Sequence, residues 1–135
     1  MSGKGTLTAQ IFTAKMAIPV ENAAVTLTQQ GERGKKLIAY LITDISGKTQ
    51  PVTFVTPDLS QSVMPGYDMP YTVCDVKVEI PDFYTVEILN AQIFPYTNSI
   101  QPVEMIPAAE GDDVNDPEKR IVFDVTPQKL GGEVS

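Results

Sequence analysis

Three segments organise the chain: Pro19–Leu27 (PVENAAVTL), Thr43–Thr49 (TDISGKT) and Tyr71–Tyr84 (YTVCDVKVEIPDFY). Each couples a strand-like alternation of apolar and polar residues to a turn rich in Asp, Asn, Gly or Pro. Val25 and Leu27 alternate with Thr26 and Thr28, and Val76, Val78 and Ile80 share one parity. Asp44-Ile45-Ser46-Gly47 and Pro81-Asp82 supply the turns. The combination predicts a small all-β sandwich, which presents or binds more readily than it catalyses.

Working outward, Thr6–Thr13 places Leu7, Ala9 and Ile11 on one face and Thr6, Thr8 and Gln10 on the other, the pattern of a half-buried strand. Gln29–Lys36 (QQGERGKK) reads as a polar hairpin loop. Leu37–Ile42 (LIAYLI) is apolar on both parities, which predicts a central strand covered on both sides. A buried helix fits so short a run equally well by periodicity; its brevity and the turn after it favour strand. Val52–Val55 is a short strand. Thr56–Pro70 carries Pro57, Pro65, Gly66 and Pro70 and reads as a long irregular loop, and loops of that length tend to be functional or mobile. Tyr71 and Val73 share the parity opposite to Val76 and Val78, which predicts a β-bulge near Cys74-Asp75. Tyr84–Leu89, Ala91–Phe94 and Ile100–Ile106 follow as strands. Residues 108–119 (AAEGDDVNDPEK, from Ala108) read as an acidic linker, 120–127 as an additional strand in which Ile121, Phe123 and Val125 alternate with Val122, Asp124 and Thr126, and 128–135 as a frayed tail. No helix and no internal repeat is evident.

Composition excludes several functions. The 135 residues suit one domain of about residues 5–107 with its appendages. Net charge is −7, and the basic stripe that nucleic acid requires is absent. Acidity disfavours anionic membrane surfaces, and no run of about 18 apolar residues is present to insert into one. The first residues show no apolar h-region, so the chain is expected to start in the cytoplasm unless a leader has been removed. The chain has one cysteine, Cys74, and no histidine. The commonest general base and metal ligand is therefore missing, and Ser–His and Cys–His nucleophile pairs are impossible. Neither a metal nor another cofactor is expected.

The three segments resemble the carboxypeptidase regulatory-like domain, a transthyretin-like (prealbumin-like) sandwich. The family's P-V-x-x-A-x-V-T-L segment is similar to Pro19, Val20, Ala23, Val25, Thr26 and Leu27; its T-D-x-x-G-K turn to Thr43, Asp44, Gly47 and Lys48; its Y-x-V strand and P-x-(G/F)-Y corner to Tyr71, Val73, Pro81, Phe83 and Tyr84. Phe83 stands where the family usually has glycine. Ile100–Pro107 (IQPVEMIP) resembles the closing strand. The resemblance implies a seven-stranded Greek-key β-sandwich plus the extra C-terminal strand. It also implies an accessory role beside peptidoglycan-binding or spore-cortex hydrolase modules of spore-forming bacteria. The transthyretin-like branch that hydrolyses 5-hydroxyisourate uses histidines and a C-terminal Y-R-G-S; this chain has neither and ends GGEVS.

Other chemistry finds little support in the residues. A Lys15–Asn98 isopeptide bond lacks its carboxylate, because Lys77 occupies the position four residues before the corner proline. Asp112, Asp113, Asn115, Asp116 and Glu118 lack Ca²⁺-loop spacing and read as a solvated run. Cys74 reads as a small buried hydrophobe. Only Tyr40, Tyr67, Tyr71, Tyr84 and Tyr96 are available as sugar platforms, a weak signal. The interaction candidates are Met64, Tyr67 and Met69 in the long loop, and Ile121, Phe123 and Val125 in the last strand. The expected partner is a protein or a cell-wall polymer. The last strand either folds back onto its own sheet edge or adds to a neighbour's sheet, the second making a homo-oligomer; folding back costs no association entropy and is favoured.

Overall fold

A computed structural model describes residues 3–14, 17–56, 71–108 and 120–125. The long loop with Met64, Tyr67 and Met69, the acidic run 112–118, Lys15 and the tail lie outside these residues. Among the described residues nine strands follow in order: β1 (Gly3–Thr13), β2 (Ile18–Pro19), β3 (Ala24–Gly31), β4 (Gly34–Ile42), β5 (Val52–Thr56), β6 (Thr72–Glu79), β7 (Val86–Ile93), β8 (Asn98–Glu104) and β9 (Ile121–Asp124). There is no helix among the described residues. The strands form two sheets, so the expected all-β sandwich is the observed fold.

In the first sheet β1 is central. It pairs in parallel with β8 along one edge and antiparallel with β5 and β2 on the other. The second sheet runs β4-β3-β6-β7-β9, antiparallel except for the parallel β7–β9 pair. The alternation of period two puts Leu7, Ala9 and Ile11 of β1 opposite Val25, Leu27, Val76, Val78, Val86 and Ile88 of the second sheet. Val25, Val76, Val78 and Val86 are fully buried. Each such side chain contributes about 1.5–3 kcal/mol relative to exposure.

Three local readings are corrected by the tertiary structure. The polar Gln29–Lys36 stretch is mostly strand: β3 runs to Gly31 and β4 begins at Gly34, leaving Glu32 and Arg33 as the turn. The β-irregularity does fall at Cys74/Val76, but the extra residue belongs to β7, where Leu89 and Asn90 face Asp75. Asn90 takes φ 64° and its N–H donates to Asp75 Oδ1 at 3.0 Å. Cys74 thereby keeps the inward parity of Val76 and Val78, and β6 needs no change of face. Finally, Leu37–Ile42 is not a covered central strand. β4 is the edge of its sheet among the described residues, with Leu37 61%, Tyr40 62% and Ile42 52% exposed. Only Ile38, Ala39 and Leu41 reach the core. Periodicity reports polarity, and this strand is apolar on a face that no other element covers among the described residues.

The turn Thr43–Thr49 ties the sheets together. Thr43 Oγ1 donates to Val20 O (2.6 Å) and accepts from Ala23 N (2.9 Å). Asp44 Oδ1 accepts from the N–H groups of Ser46 and Lys48 at 2.9 and 3.0 Å, an Asx-turn closure. Gly47, at φ 76°, passes so close to β1 that its carbonyl accepts from Ile11 N at 2.7 Å. A Cβ there would press on Ile11 O and Val20 N. At the Pro81–Tyr84 corner the left-handed residue is Asp82 (φ 73°), so Phe83 has no need of glycine's freedom. Two substitutions test the knot by urea denaturation. Gly47→Ala is expected to lower stability by roughly 1–3 kcal/mol. Thr43→Val, leaving two buried backbone groups unpaired, is expected to cost about 2 kcal/mol. Unchanged midpoints would remove the knot from its central role.

Candidate interaction surface

The outer face of the five-stranded sheet presents a graded surface. At the β4 edge it is apolar: Leu37, Tyr40 and Ile42 stand beside Thr28, Thr26 and Ala24, their register partners on β3. Toward the middle it becomes charged, with Lys77 and Glu79 of β6 and Glu87 of β7. Ion pairs accompany it, Lys35–Asp75 at 3.0 Å, Arg120–Glu87 at 3.1 Å and Lys77–Glu79 at 4.0 Å among them. These are surface pairs, each worth about 0–1 kcal/mol. Leu37 and Ile42 are not candidates in the sequence, and Tyr40 is one only as a sugar platform, because an apolar run is ordinarily a buried run.

β9 folds back onto its own chain. Ile121, Val122, Phe123 and Asp124 pair in register with Val86, Glu87, Ile88 and Leu89. Ile121 and Val125 pack against the core from the side, whereas Phe123 is 51% and Val122 46% exposed. Gln92 Nε2 donates to Val125 O at 2.7 Å and Val125 N to Leu89 O at 3.0 Å, closing the end of the strand.

The remaining candidates are structural. Tyr71 packs its ring against Phe94, centroids 5.7 Å apart and tilted by 51°, and so caps the sandwich. Asn98 Oδ1 accepts from Thr6 Oγ1 (2.7 Å) and Thr8 Oγ1 (3.2 Å), an assignment that already explains it without an isopeptide partner. A shallow cleft of about 460 Å³ lies between β1, β2 and the 44–48 turn, lined by Gln10, Ile11, Phe12, Pro19, Ile45, Ser46 and Lys48. It offers an amide, a hydroxyl and an ammonium beside apolar walls. No group of three or more metal-ligating side chains occurs among the described residues.

No family model and no curated protein sequence matches the chain. Solved structures do. The catechol 1,2-dioxygenase of Acinetobacter sp. ADP1, inhibited by bound mercury, aligns with a TM-score of 0.50 at 13% identity, over 90% of this chain and 59% of that one. A single-residue variant of the Acinetobacter radioresistens catechol 1,2-dioxygenase gives 0.53 at 12% identity, over 90% and 58%. The Bacillus anthracis TIE protein gives 0.47 at 10% identity, over 78% of this chain and 17% of that one. The chain thus spans less than two thirds of the length of these proteins. At such identities the likeness to the two dioxygenases shows the fold alone, an all-β sandwich.

Cys74 is buried between Val76, Ala91 and their neighbours, and burial, with the Asp75 carboxylate second, pushes its thiol up from 9.0 to about 12. The thiolate is the reactive form, so the side chain is inert while the domain is folded. Because the folded value is the raised one, stability from the neutral thiol is complete below 9.0 and is lost as pH climbs from there toward 12. An aromatic disulfide reagent at pH 8 is expected to label Cys74 at the rate of unfolding, and immediately in denaturant. Fast labelling of native protein would contradict this environment.

Proposed function

We propose that the chain is a non-enzymatic accessory domain of the carboxypeptidase regulatory-like, transthyretin-like kind, and that it works by protein contact. The observation that carries the reading is the exposed apolar edge of β4. Three large side chains side by side, each more than half exposed, form the kind of surface that marks interaction sites. Tyrosine at its centre adds area with little entropy lost on binding. The histidine-free sequence agrees with a role that needs no proton shuttle. A spore- or cell-wall-associated setting follows from the family resemblance, and the partner would then be a protein of that assembly, with wall polymer as the other outcome of the test.

A photocrosslinking amino acid at position 40, compared with one at position 104 on the exposed parity of β8, tests this in spore or cell-wall extract. Protein adducts are expected from position 40 and few from position 104. Equal adducts at both positions, co-sedimentation with purified peptidoglycan that ignores Tyr40→Ser, or hydrolytic turnover surviving repurification would each overturn the reading.

One observation favours a second reading, in which β9 is exchanged between copies and the protein is a self-assembling subunit. Ala108 N donates to Asp82 O and Ile121 N to Thr85 O, so the chain leaves and rejoins the sandwich within three residues of one corner. The intervening 109–119 stretch can span up to about 35 Å, far more than that gap requires. Glu87 and Val122 are register partners. Cysteines at both positions, oxidised in dilute protein, would lock β9 at home. The exchange reading expects the locked protein to lose its oligomers on concentration; oligomers that persist would exclude it.

A further inference from the structure

A line of polar side chains crosses the outer face of the five-stranded sheet and ends on β9. Lys35 Nζ of β4 lies 3.0 Å from Asp75 Oδ2 of β6. Asp75 Oδ1 accepts from the Asn90 N–H of β7 at 3.0 Å, and Asn90 Nδ2 donates to Asp124 Oδ1 of β9 at 3.1 Å. Gln92 Nε2 meets the same place, donating to Asn90 O at 2.6 Å and to Val125 O at 2.7 Å. Asn90 sits in the β7 bulge at φ 64°, a conformation asparagine tolerates. Its backbone is thus set by Asp75 on one side, and its side chain reaches β9 on the other.

Little else holds β9 down. It has four residues, of which Val122, Phe123 and Asp124 are exposed, and Ile121 and Val125 reach the core only from the side. The Arg120–Glu87 tie is a surface pair. β7 keeps β6 along its other edge, and its Val86, Ala91 and Ile93 are fully buried. From this arrangement we infer that β9 is a releasable strap and that Asn90 is its catch. The strand leaves β7 as a unit while the rest of the sandwich stays folded, and the Asn90 amide sets how often it does so. Release uncovers the backbone edge of β7, ready for another strand. This deepens the exchange reading of β9 by assigning the step at which the strand comes free.

The charges around Asn90 explain why a neutral amide stands there. Asp75 approaches it from β6 and Asp124 from β9, two like charges that the Asn90 N–H and Nδ2 groups hold together by donating one bond to each. Lys35 offsets the charge of Asp75 from the far side. Two substitutions separate the side chain from the bulge. Glycine adopts positive φ freely, so Asn90→Gly keeps the bulge and the N–H bond to Asp75 and removes only the bond to Asp124. Asn90→Asp keeps the shape of the side chain but sets a third carboxylate between the other two.

Native-state amide hydrogen exchange of the full chain, read residue by residue by NMR in dilute solution, is the test. The reporters are the Ile121 and Val125 amides, which bond to Thr85 O and Leu89 O. The reference is the Val78 amide in β6, flanked by β3 and β7 and fully buried. After correction for intrinsic rates, both reporters are expected to exchange at least roughly tenfold faster than Val78. Asn90→Gly is expected to speed both about fivefold, the effect of one lost hydrogen bond, and to leave Val78 unchanged. Asn90→Asp is expected to speed them further. Reporters that exchange at the rate of Val78 would overturn the inference. So would an Asn90→Gly protein whose reporters are unchanged or whose Val78 speeds by the same factor, or an Asn90→Asp protein no faster than native. If β9 opens apart from the core yet concentrated protein forms no exchanged oligomers, the exchange reading fails and the catch stands. If β9 opens only with the core, the catch fails whatever the oligomers show.

Discussion

The Thr43 hydroxyl holds the ends of three strands in one place. It closes the Val20 carbonyl and the Ala23 amide that precede β3, immediately after β4 ends. Four residues on, Gly47 lies against Ile11 of β1, in the other sheet, and Thr49 Oγ1 accepts from Ala9 N at 3.0 Å. One short turn therefore couples both layers. The core that fills between them is aliphatic and non-directional, so it rewards many packings about equally. The directional bonds of this turn select the one in which β1 crosses β3 and β4 as observed.

The same arrangement determines what is left for function. Fixing β4 by its end to the β2–β3 connection, and by its length to β3, puts it at the margin of its sheet. Its inner parity reaches the core through Ala39 and Leu41, and its outer parity has nothing above it among the described residues. Protection of the other margin is different in kind. There β9, only four residues long, covers the β7 edge and is fastened by the Gln92, Arg120 and Asn90 side chains. The sheet thus has one edge capped by its own chain and one edge that offers apolar surface with charged ends. An edge left in that condition in a natural sandwich is either blunted or used. The Lys36 charge and the Ile38 bulge limit unspecific pairing along it.

Much of the fold was legible in residue order. β1, β3 and β6 follow from period-two alternation, and the 43–49 turn from Asp and Gly at the positions an Asx-type closure requires. The bulge near Cys74-Asp75 was legible as a conflict of parity, but not its bearer: the extra residue sits in β7, because Asn90 tolerates a positive φ and Asp75 can cap its amide. The candidate site was less legible. Ile121, Phe123 and Val125 read as an extra strand, whereas the apolar run of Leu37, Tyr40 and Ile42 reads as a covered strand in sequence and is an exposed edge in the structure.

Local chemistry alone determined that this protein is an all-β chain, histidine-free, acidic and turned at Asp44–Gly47 and Pro81–Asp82. Those properties depend on near neighbours in the chain, through side-chain alternation and backbone turn preference. Tertiary structure alone decided that β4 lies at an edge, that β9 returns to β7 in parallel, and that the extra residue opposite Asp75 belongs to β7. Each depends on which strand lies beside which, and that is settled by contacts between residues far apart in sequence. The apolar run of β4 would read the same in a covered strand, and only its neighbours show that half of it faces outward.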